Sequence, residues 1–292
     1  MGSEGVRAGM AKVFNKEMPD HRPSDRPGFE SPQPLSAVDR VWIILEEFAP
    51  ERPSMTLSEI STRTGIPLTT THRTLSHLVR WGALERDREG RYRIGLKLWE
   101  IGALAPRSRD LREAAMPFLE DLYEISHQNV QLAVIDGFEA VYIERISGHD
   151  AVSVISRPGG RLPLHATGVG LVLLAYAPRA TQEQILASPL KTYTPRTIST
   201  PTQLEQALAY VRERGFVISS GQIDLSALSI AAPVFGQKDE VVAALSVALA
   251  IEDADPNTLV PVVRAAARGV SRALGSARAR RLSGDAQRET RS

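Results

Sequence analysis

Cysteine is absent from the 292-residue chain, which excludes a disulfide scaffold, a thiol nucleophile, thiolate-bound metal and iron–sulfur clusters. Neither sign of charge dominates: 35 Lys and Arg face 34 Asp and Glu, a net of +1. A polybasic coat for nucleic acid is thereby excluded, although a local basic patch is not. Long apolar runs are missing as well. The two longest, near Val169–Ala177 and Val241–Ile251, reach about half of the ~20 residues that a membrane span needs. No apolar core of a secretory signal stands near the N-terminus, so a cytoplasmic protein with no membrane partner is expected. Catalytic signatures are equally scarce. The histidines at 21, 72, 77, 127, 149 and 165 show no HExxH-type ligand spacing, and neither a GxSxG elbow nor a Walker-type loop occurs. Gly168-Val-Gly170 is too short for a dinucleotide fingerprint. No enzyme activity, metal or cofactor is expected.

What remains is a chain with 42% hydrophobic and 24% charged residues, the ordinary balance of a globular protein, and long enough for about two domains. Residues 1–34 interleave five prolines with five basic and five acidic residues and read as a disordered tail. Residues 277–292 carry five arginines against Asp285 and Glu289 and read as a basic tail that either brushes DNA or stays solvated.

Between the tails, residues 35–95 are sharply punctuated. Val38, Val41, Trp42, Leu45 and Phe48 fall at helical spacing from Ser36 until Ala49-Pro50 stops the pattern. Thr56-Leu-Ser-Glu59 is a capping box that opens a second helix, ended by Gly65. Pro67 starts a third helix that runs to Trp81 and Gly82. Ala83–Asp87 and Arg91–Ile94 then flank Arg88-Glu89-Gly90 as a short hairpin. Two helices joined by a tight glycine turn form a helix-turn-helix, and the hairpin is its wing. With Thr71, Leu75, Leu78 and Val79 facing the core, Thr69, Thr70, Arg73, Ser76, His77 and Arg80 share a face that carries no acid. Hydroxyls at a helix start suit phosphate oxygens, and an arginine addresses guanine bidentately. The candidate DNA contacts are thus Thr69, Thr70 and Thr71, then Arg73, Ser76, His77 and Arg80, with Arg91 from the wing. Charge agrees: residues 66–93 hold six basic and three acidic residues, a net of +3, whereas 96–276 hold 16 and 19, a net of −3.

Residues 96–110 read as a linker helix, whose Leu96, Trp99 and Leu104 are also a candidate dimer surface, and 111–276 as a second domain. Strands are expected at Gln131–Ile135, Ala140–Arg145, Val152–Ser156, Phe216–Ser219, Ser229–Phe235 and Val241–Leu249, with Asp136-Gly137 marking a hairpin. Helices are expected at Arg109–Ser126, Gly168–Tyr176, Thr181–Ala187, Thr202–Arg214 and Asn257–Leu274. Mixed strands and helices without βαβ alternation favour an α+β domain with an antiparallel sheet. One stretch looks like a site: GGRLPLHATGVG over 159–170, leading into an apolar helix. Either the free amides of that helix start bind an acceptor, or the glycines pack tightly with His165 buried. Ser229 and Ser246 likewise either line a pocket or bond backbone.

The stretches MTLSEISTRTGIP, THRTLSHLVRWGALERDREGRYRIGLKLWEIG, GGRLPLHATGVG, YTPRTIST and SIAAPVF…VVAALSVA, in this order over residues 36–275, resemble the IclR family of bacterial transcriptional regulators. The resemblance implies a winged helix-turn-helix domain, a linker helix and a GAF-like α/β effector domain. It further implies homodimers or dimers of dimers on palindromic double-stranded operators, with occupancy set by a small organic effector. By position, the family's effector pocket falls on Thr167, Gly168, Val169, Ser219, Ala227, Ser229, Ser246 and Ala248. The chain departs from the family at Ser219, where an acid is frequent, near Ser226 (glycine), at Leu171 (lysine) and at Ala248 (a second serine). The changes at Ser219, Leu171 and Ala248 remove charge or polarity. A buried acid needs a partner, so its loss relaxes what the pocket must bind, and an aromatic or otherwise less polar effector is expected. The alternative is a ligand-binding or enzymatic α/β domain whose helical N-terminal block is an interaction module.

Overall fold

A computed structural model describes residues 35–49, 51–148 and 156–279. The expected N-terminal tail, residues 152–155 of one expected strand and residues 280–292 of the expected C-terminal tail lie outside the described residues. The chain divides into two compact units between Leu104 and Ala105.

In the first unit the order is α1 (Ala37–Glu46), β1 (Ser54–Met55), α2 (Leu57–Thr64), α3 (Leu68–Arg80), β2 (Leu84–Arg86), β3 (Tyr92–Ile94) and α4 (Leu96–Gly102). Ser36 caps α1 through a reciprocal pair with Asp39, and Thr56 caps α2 in the same way with Glu59. Gly65 ends α2 in the left-handed region at φ 68°, a geometry that costs a side chain about 1 kcal/mol or more. The chain thereby turns sharply into α3. Ile44, Met55, Ile60, Ile66, Leu75, Leu78, Leu84 and Tyr92 form one core where the three helices meet the wing. The wing gains a strand that the sequence pattern did not reveal: β1, only two residues long beside Pro53, pairs with β3 and completes the order β1-β3-β2. Thr56→Ala removes the cap that starts α2 and is expected to cost about 0.5–2 kcal/mol. The thermal unfolding midpoint measured by circular dichroism checks it, and an unchanged midpoint would count against the cap.

The second unit runs α5 (Pro106–Ser126), β4 (Asn129–Asp136), β5 (Glu139–Ile146), β6 (Arg161–Pro163), α6 (Gly168–Ala175), α7 (Arg179–Ala187), α8 (Pro201–Arg214), β7 (Val217–Ser220), β8 (Ala227–Phe235), β9 (Val241–Ala250) and α9 (Pro256–Ala273). Its sheet is antiparallel at every described pairing, in the order β6-β5-β4-β9-β8-β7. Alternation along the central strands divides two cores. Leu132, Ile230, Leu245 and Val247 point to one face and pack with Leu119 of α5 and Val270 of α9. Ala133, Ala231 and Ala244 point to the other and pack with α6 and α8. These small side chains leave the room that α6, buried along its whole length, requires.

Three expectations need correction. The linker helix expected to Asp110 is broken, with α4 ending at Gly102 and α5 starting at Pro106. Asp136 pairs with Glu139, so the β4–β5 turn is Gly137-Phe138, with Gly137 at φ 60°. The start of the expected C-terminal tail is packed: Arg278 N donates to Asp239 Oδ1 (2.9 Å), and the Arg278 guanidinium lies 4.6 Å from the centre of the Phe235 ring. Among the described residues no helix is long and apolar enough to cross a membrane.

Candidate nucleic-acid interface and ligand cavity

Burial along α3 separates its two faces. Leu75 and Leu78 are in the core, while Thr69, Arg73, Ser76, His77 and Arg80 are exposed and Thr70 is half-buried. Thr71 belongs to the core instead: it is fully buried, and its hydroxyl donates to Ile66 O (3.1 Å) and Pro67 O (3.2 Å). A hydroxyl within reach of the preceding turn's carbonyls serves the turn, so Thr71 positions α3 and offers nothing to a ligand. Arg91 is also committed internally. Its guanidinium donates to Ser54 Oγ (3.1 Å), Ser54 O (2.9 Å) and Glu59 (3.3 Å), tying the wing to β1 and α2. In its place the wing tip offers Arg88, exposed and, like Arg73, without an acidic partner among the described residues. Arg93 pairs with Glu85, and Arg86 lies over the Tyr92 ring. His72 is a further exposed residue of this face; it stands three residues from Thr69, a spacing that the sequence pattern could have signalled. Arg80 Nη2 donates to His77 Nδ1 (3.1 Å), which makes that nitrogen an acceptor.

In the second unit a cavity of about 80 Å³ opens between the sheet and the start of α6. Thr167, Gly168, Ser219, Ala227, Ser229 and Ala248 line it together, from segments far apart in sequence. Strand pairing explains the convergence: Ser219 is opposite Ser229, and Ser229 opposite Ala248, so they form a row across β7, β8 and β9. Thr167 caps α6, accepting from Gly170 N (3.1 Å) and donating to Pro163 O (3.1 Å). Val169 and Ser246 do not line the cavity. Val169 is in the core, and Ser246 is fully buried with its hydroxyl donating to Gln131 Oε1 (3.3 Å). Gln131 Nε2 in turn donates to Ser156 Oγ (2.7 Å), so Gln131 and Ser156, not Ser246, present polar atoms to the cavity.

The sequence pattern did not single out Gln131, Tyr142, Ser156, Gln222 or Asp224, all of which line the cavity. Burial pushes the Tyr142 phenol well above its ordinary value, so it stays neutral. Asp224 is the one charged group among the lining residues, and its Oδ1 is taken by Ser226 N (2.8 Å) and Ser226 Oγ (2.7 Å). The structure bears out the packed reading of the 159–170 stretch at His165. That residue is buried, with Nε2 on Lys191 O (2.9 Å), while its neighbours Thr167 and Gly168 line the cavity.

Burial holds the His165 imidazole below its ordinary pKa. The unfolded chain therefore binds this proton more readily than the fold does, and stability falls as pH drops through about 6.5, levelling out below the folded pKa. His165→Gln is expected to flatten that part of the stability–pH curve. Denaturant melts at pH 7.5 and 5.5 check it, and an unchanged pH dependence would refute the assignment.

Comparison with known proteins now decides the family. Residues 104–272 match the family described as bacterial transcriptional regulator IclR, C-terminal, and residues 37–88 match the IclR helix-turn-helix domain. The chain belongs to the IclR family. It is similar to the HTH-type transcriptional regulator XynR of Escherichia coli K12, at 34% identity over 82% of this chain and 98% of that one. It is also similar to the transcriptional repressor AllR of the same strain, at 31% identity over 88% and 98%. Among solved structures, an IclR homologue from Microbacterium hydrocarbonoxydans, crystallised with 4-hydroxybenzoate, superposes with a TM-score of 0.78 at 36% identity over 82% of this chain and 99% of that one. The protein is a helix-turn-helix transcriptional regulator of α+β fold, not an enzyme.

Proposed function

We propose that residues 35–95 bind palindromic operator DNA with α3 in the major groove, that residues 96–110 link, and that residues 111–276 hold an aromatic monocarboxylic acid whose binding changes operator occupancy in the cytoplasm. The DNA contacts on this reading are Thr69, Arg73, Ser76, His77 and Arg80. The observation that carries the ligand class is the cavity wall: hydrogen-bonding and apolar side chains, a single carboxylate, Asp224, whose Oδ1 is already held by Ser226, and no cation among the lining residues. Such a wall suits one acid group on an apolar body, whose burial offsets the cost of desolvating the carboxylate, better than a small oxo acid with little apolar surface. The 4-hydroxybenzoate held by the Microbacterium homologue points the same way. Leu96 and Trp99 on α4 and Leu104 just beyond its end, with Ile101 beside them in sequence, are each more than half exposed, which supports a homodimer, or a dimer of such dimers, pairing two readers on one operator.

Fluorescence anisotropy tests the proposal, comparing DNA from upstream of the protein's own gene with scrambled DNA across a salt series, with and without 4-hydroxybenzoate or pyruvate. Preference for one fragment, a steep salt slope and a response to 4-hydroxybenzoate are expected. Tight binding of pyruvate with no response to aromatic acids would sink the ligand class. Absence of DNA binding at low salt would sink the operator reading.

A further inference from the structure

The segment 193–198, part of the YTPRTIST stretch, takes no part in the reading above, yet it is bonded to the rim of the cavity. Thr197 Oγ1 accepts from Tyr193 N (3.0 Å) and Thr194 N (2.9 Å) and donates to Gln222 O (2.5 Å). Thr194 Oγ1 accepts from Arg196 N (3.0 Å) and donates to Gly221 O (2.6 Å). Both threonines are buried. Each hydroxyl thus spends its proton on one carbonyl of the loop after β7 and its lone pairs on the segment's own turn. Ile198 N then donates to the side-chain oxygen of Gln222, Oε1, at 2.8 Å. A primary amide has one acceptor atom and one donor atom. With the oxygen held by Ile198, the Gln222 NH2 group is left over, and it has no protein partner among the described residues. Gln222 lines the cavity beside Ser219 and Ser229.

We propose that Gln222 is an effector-binding residue that donates from Nε2 to an oxygen acceptor of the ligand, a carboxylate or carbonyl, and that Thr194 and Thr197 are positioning residues that fix the amide in that orientation. The proposal rests on the cavity being the effector pocket. Its chemistry follows from the wall: with no cation among the lining residues, an anionic oxygen is satisfied only by neutral donors, and each one counts. The clasp also supplies preorganisation, since a glutamine on an untethered loop would lose rotamer freedom on binding.

Calorimetric titration of the full chain with 4-hydroxybenzoate and with pyruvate tests this. Gln222→Leu is expected to weaken binding by roughly 10- to 100-fold, the scale of a hydrogen bond to a charged group. Gln222→Glu keeps an acceptor for Ile198 but donates nothing, and is expected to bind more weakly still. Thr197→Val is expected to weaken binding about 5-fold through the ordering cost and to speed amide hydrogen exchange over 221–226. Thr197→Ser is expected to restore both. A cooperative thermal transition of the second unit and a wild-type far-ultraviolet circular dichroism spectrum are expected in all four variants, which shows that they fold. Wild-type affinity in Gln222→Leu would overturn the donor, and unchanged exchange and affinity in Thr197→Val would overturn the clasp. If the wild type binds pyruvate and not 4-hydroxybenzoate, the aromatic reading fails and Gln222 is judged on pyruvate. If it binds neither, both readings fall.

Discussion

Gly170→Ala is expected to lower the stability of the second unit by about 1–3 kcal/mol, the cost of overpacking a well-packed site, and to abolish ligand binding. Helix propensity alone argues the opposite sign, since alanine is favoured over glycine inside a helix by about 1 kcal/mol. Sterics outweigh it here. A Cβ at Gly170 would lie 2.6 Å from Leu164 Cα and closer still to Leu164 O and Thr167 Oγ1. None of these is the free end of a flexible side chain. Thr167 Oγ1 is pinned between Pro163 O and the Gly170 amide itself, and Leu164 is fully buried in the turn Leu164–Ala166. Relief therefore requires moving the start of α6, whose eight residues are all buried. Gly168 makes the informative contrast. Its added Cβ would meet Ser229 Oγ at 2.8 Å, a hydroxyl that can rotate away, so Gly168→Ala is expected to fold and to lose ligand by filling the cavity. Calorimetric melts with parallel ligand titrations separate the two. A Gly170→Ala protein that melts at or above the wild-type temperature would refute the steric account.

The features that were legible in the sequence are those written in consecutive residues. The Thr56–Glu59 box, Gly65, Pro67 and the glycine turn of the wing are local signals with local causes, and α2, α3, β2 and β3 follow them closely. The apolar strands β8 and β9 announced themselves by composition. What stayed hidden depends on long-range partners. Gln131 sits in a strand that reads as apolar, and only pairing β4 with β9 brings it within reach of Ser246, 115 residues away. Arg91 looked like a free cation until β1, two residues long, supplied Ser54 as its partner. The Gly- and Pro-rich surroundings of β6 masked a strand that exists because β5 offers it an edge. Gln222 had no signal of its own, because its role comes from a clasp 24 residues away.

Arg73→Ala is expected to cost about 1–3 kcal/mol on the operator while leaving affinity for scrambled DNA nearly unchanged. The argument starts from what the other cations of the face are doing. Arg91, Arg93 and Arg86 are engaged by Glu59, Glu85 and Tyr92, and Arg80 contacts His77. Arg73 alone on α3 combines exposure, a central position on the acid-free face and no acidic partner among the described residues. A guanidinium so placed keeps its full bidentate donor set for a base edge. Arg88 at the wing tip is equally unpaired, but a wing flanks the recognition helix, where phosphates are the near groups. Arg88→Ala is thus expected to weaken both DNAs alike and to lower the salt slope by about 1, whereas Arg73→Ala is expected to leave the slope nearly unchanged. Anisotropy titrations on operator and scrambled duplexes at four salt concentrations distinguish the two roles. Equal losses on both duplexes for Arg73→Ala, with a reduced slope, would make it a phosphate contact and move base reading to the remaining exposed polar residues of α3, Thr69, His72, Ser76, His77 and Arg80.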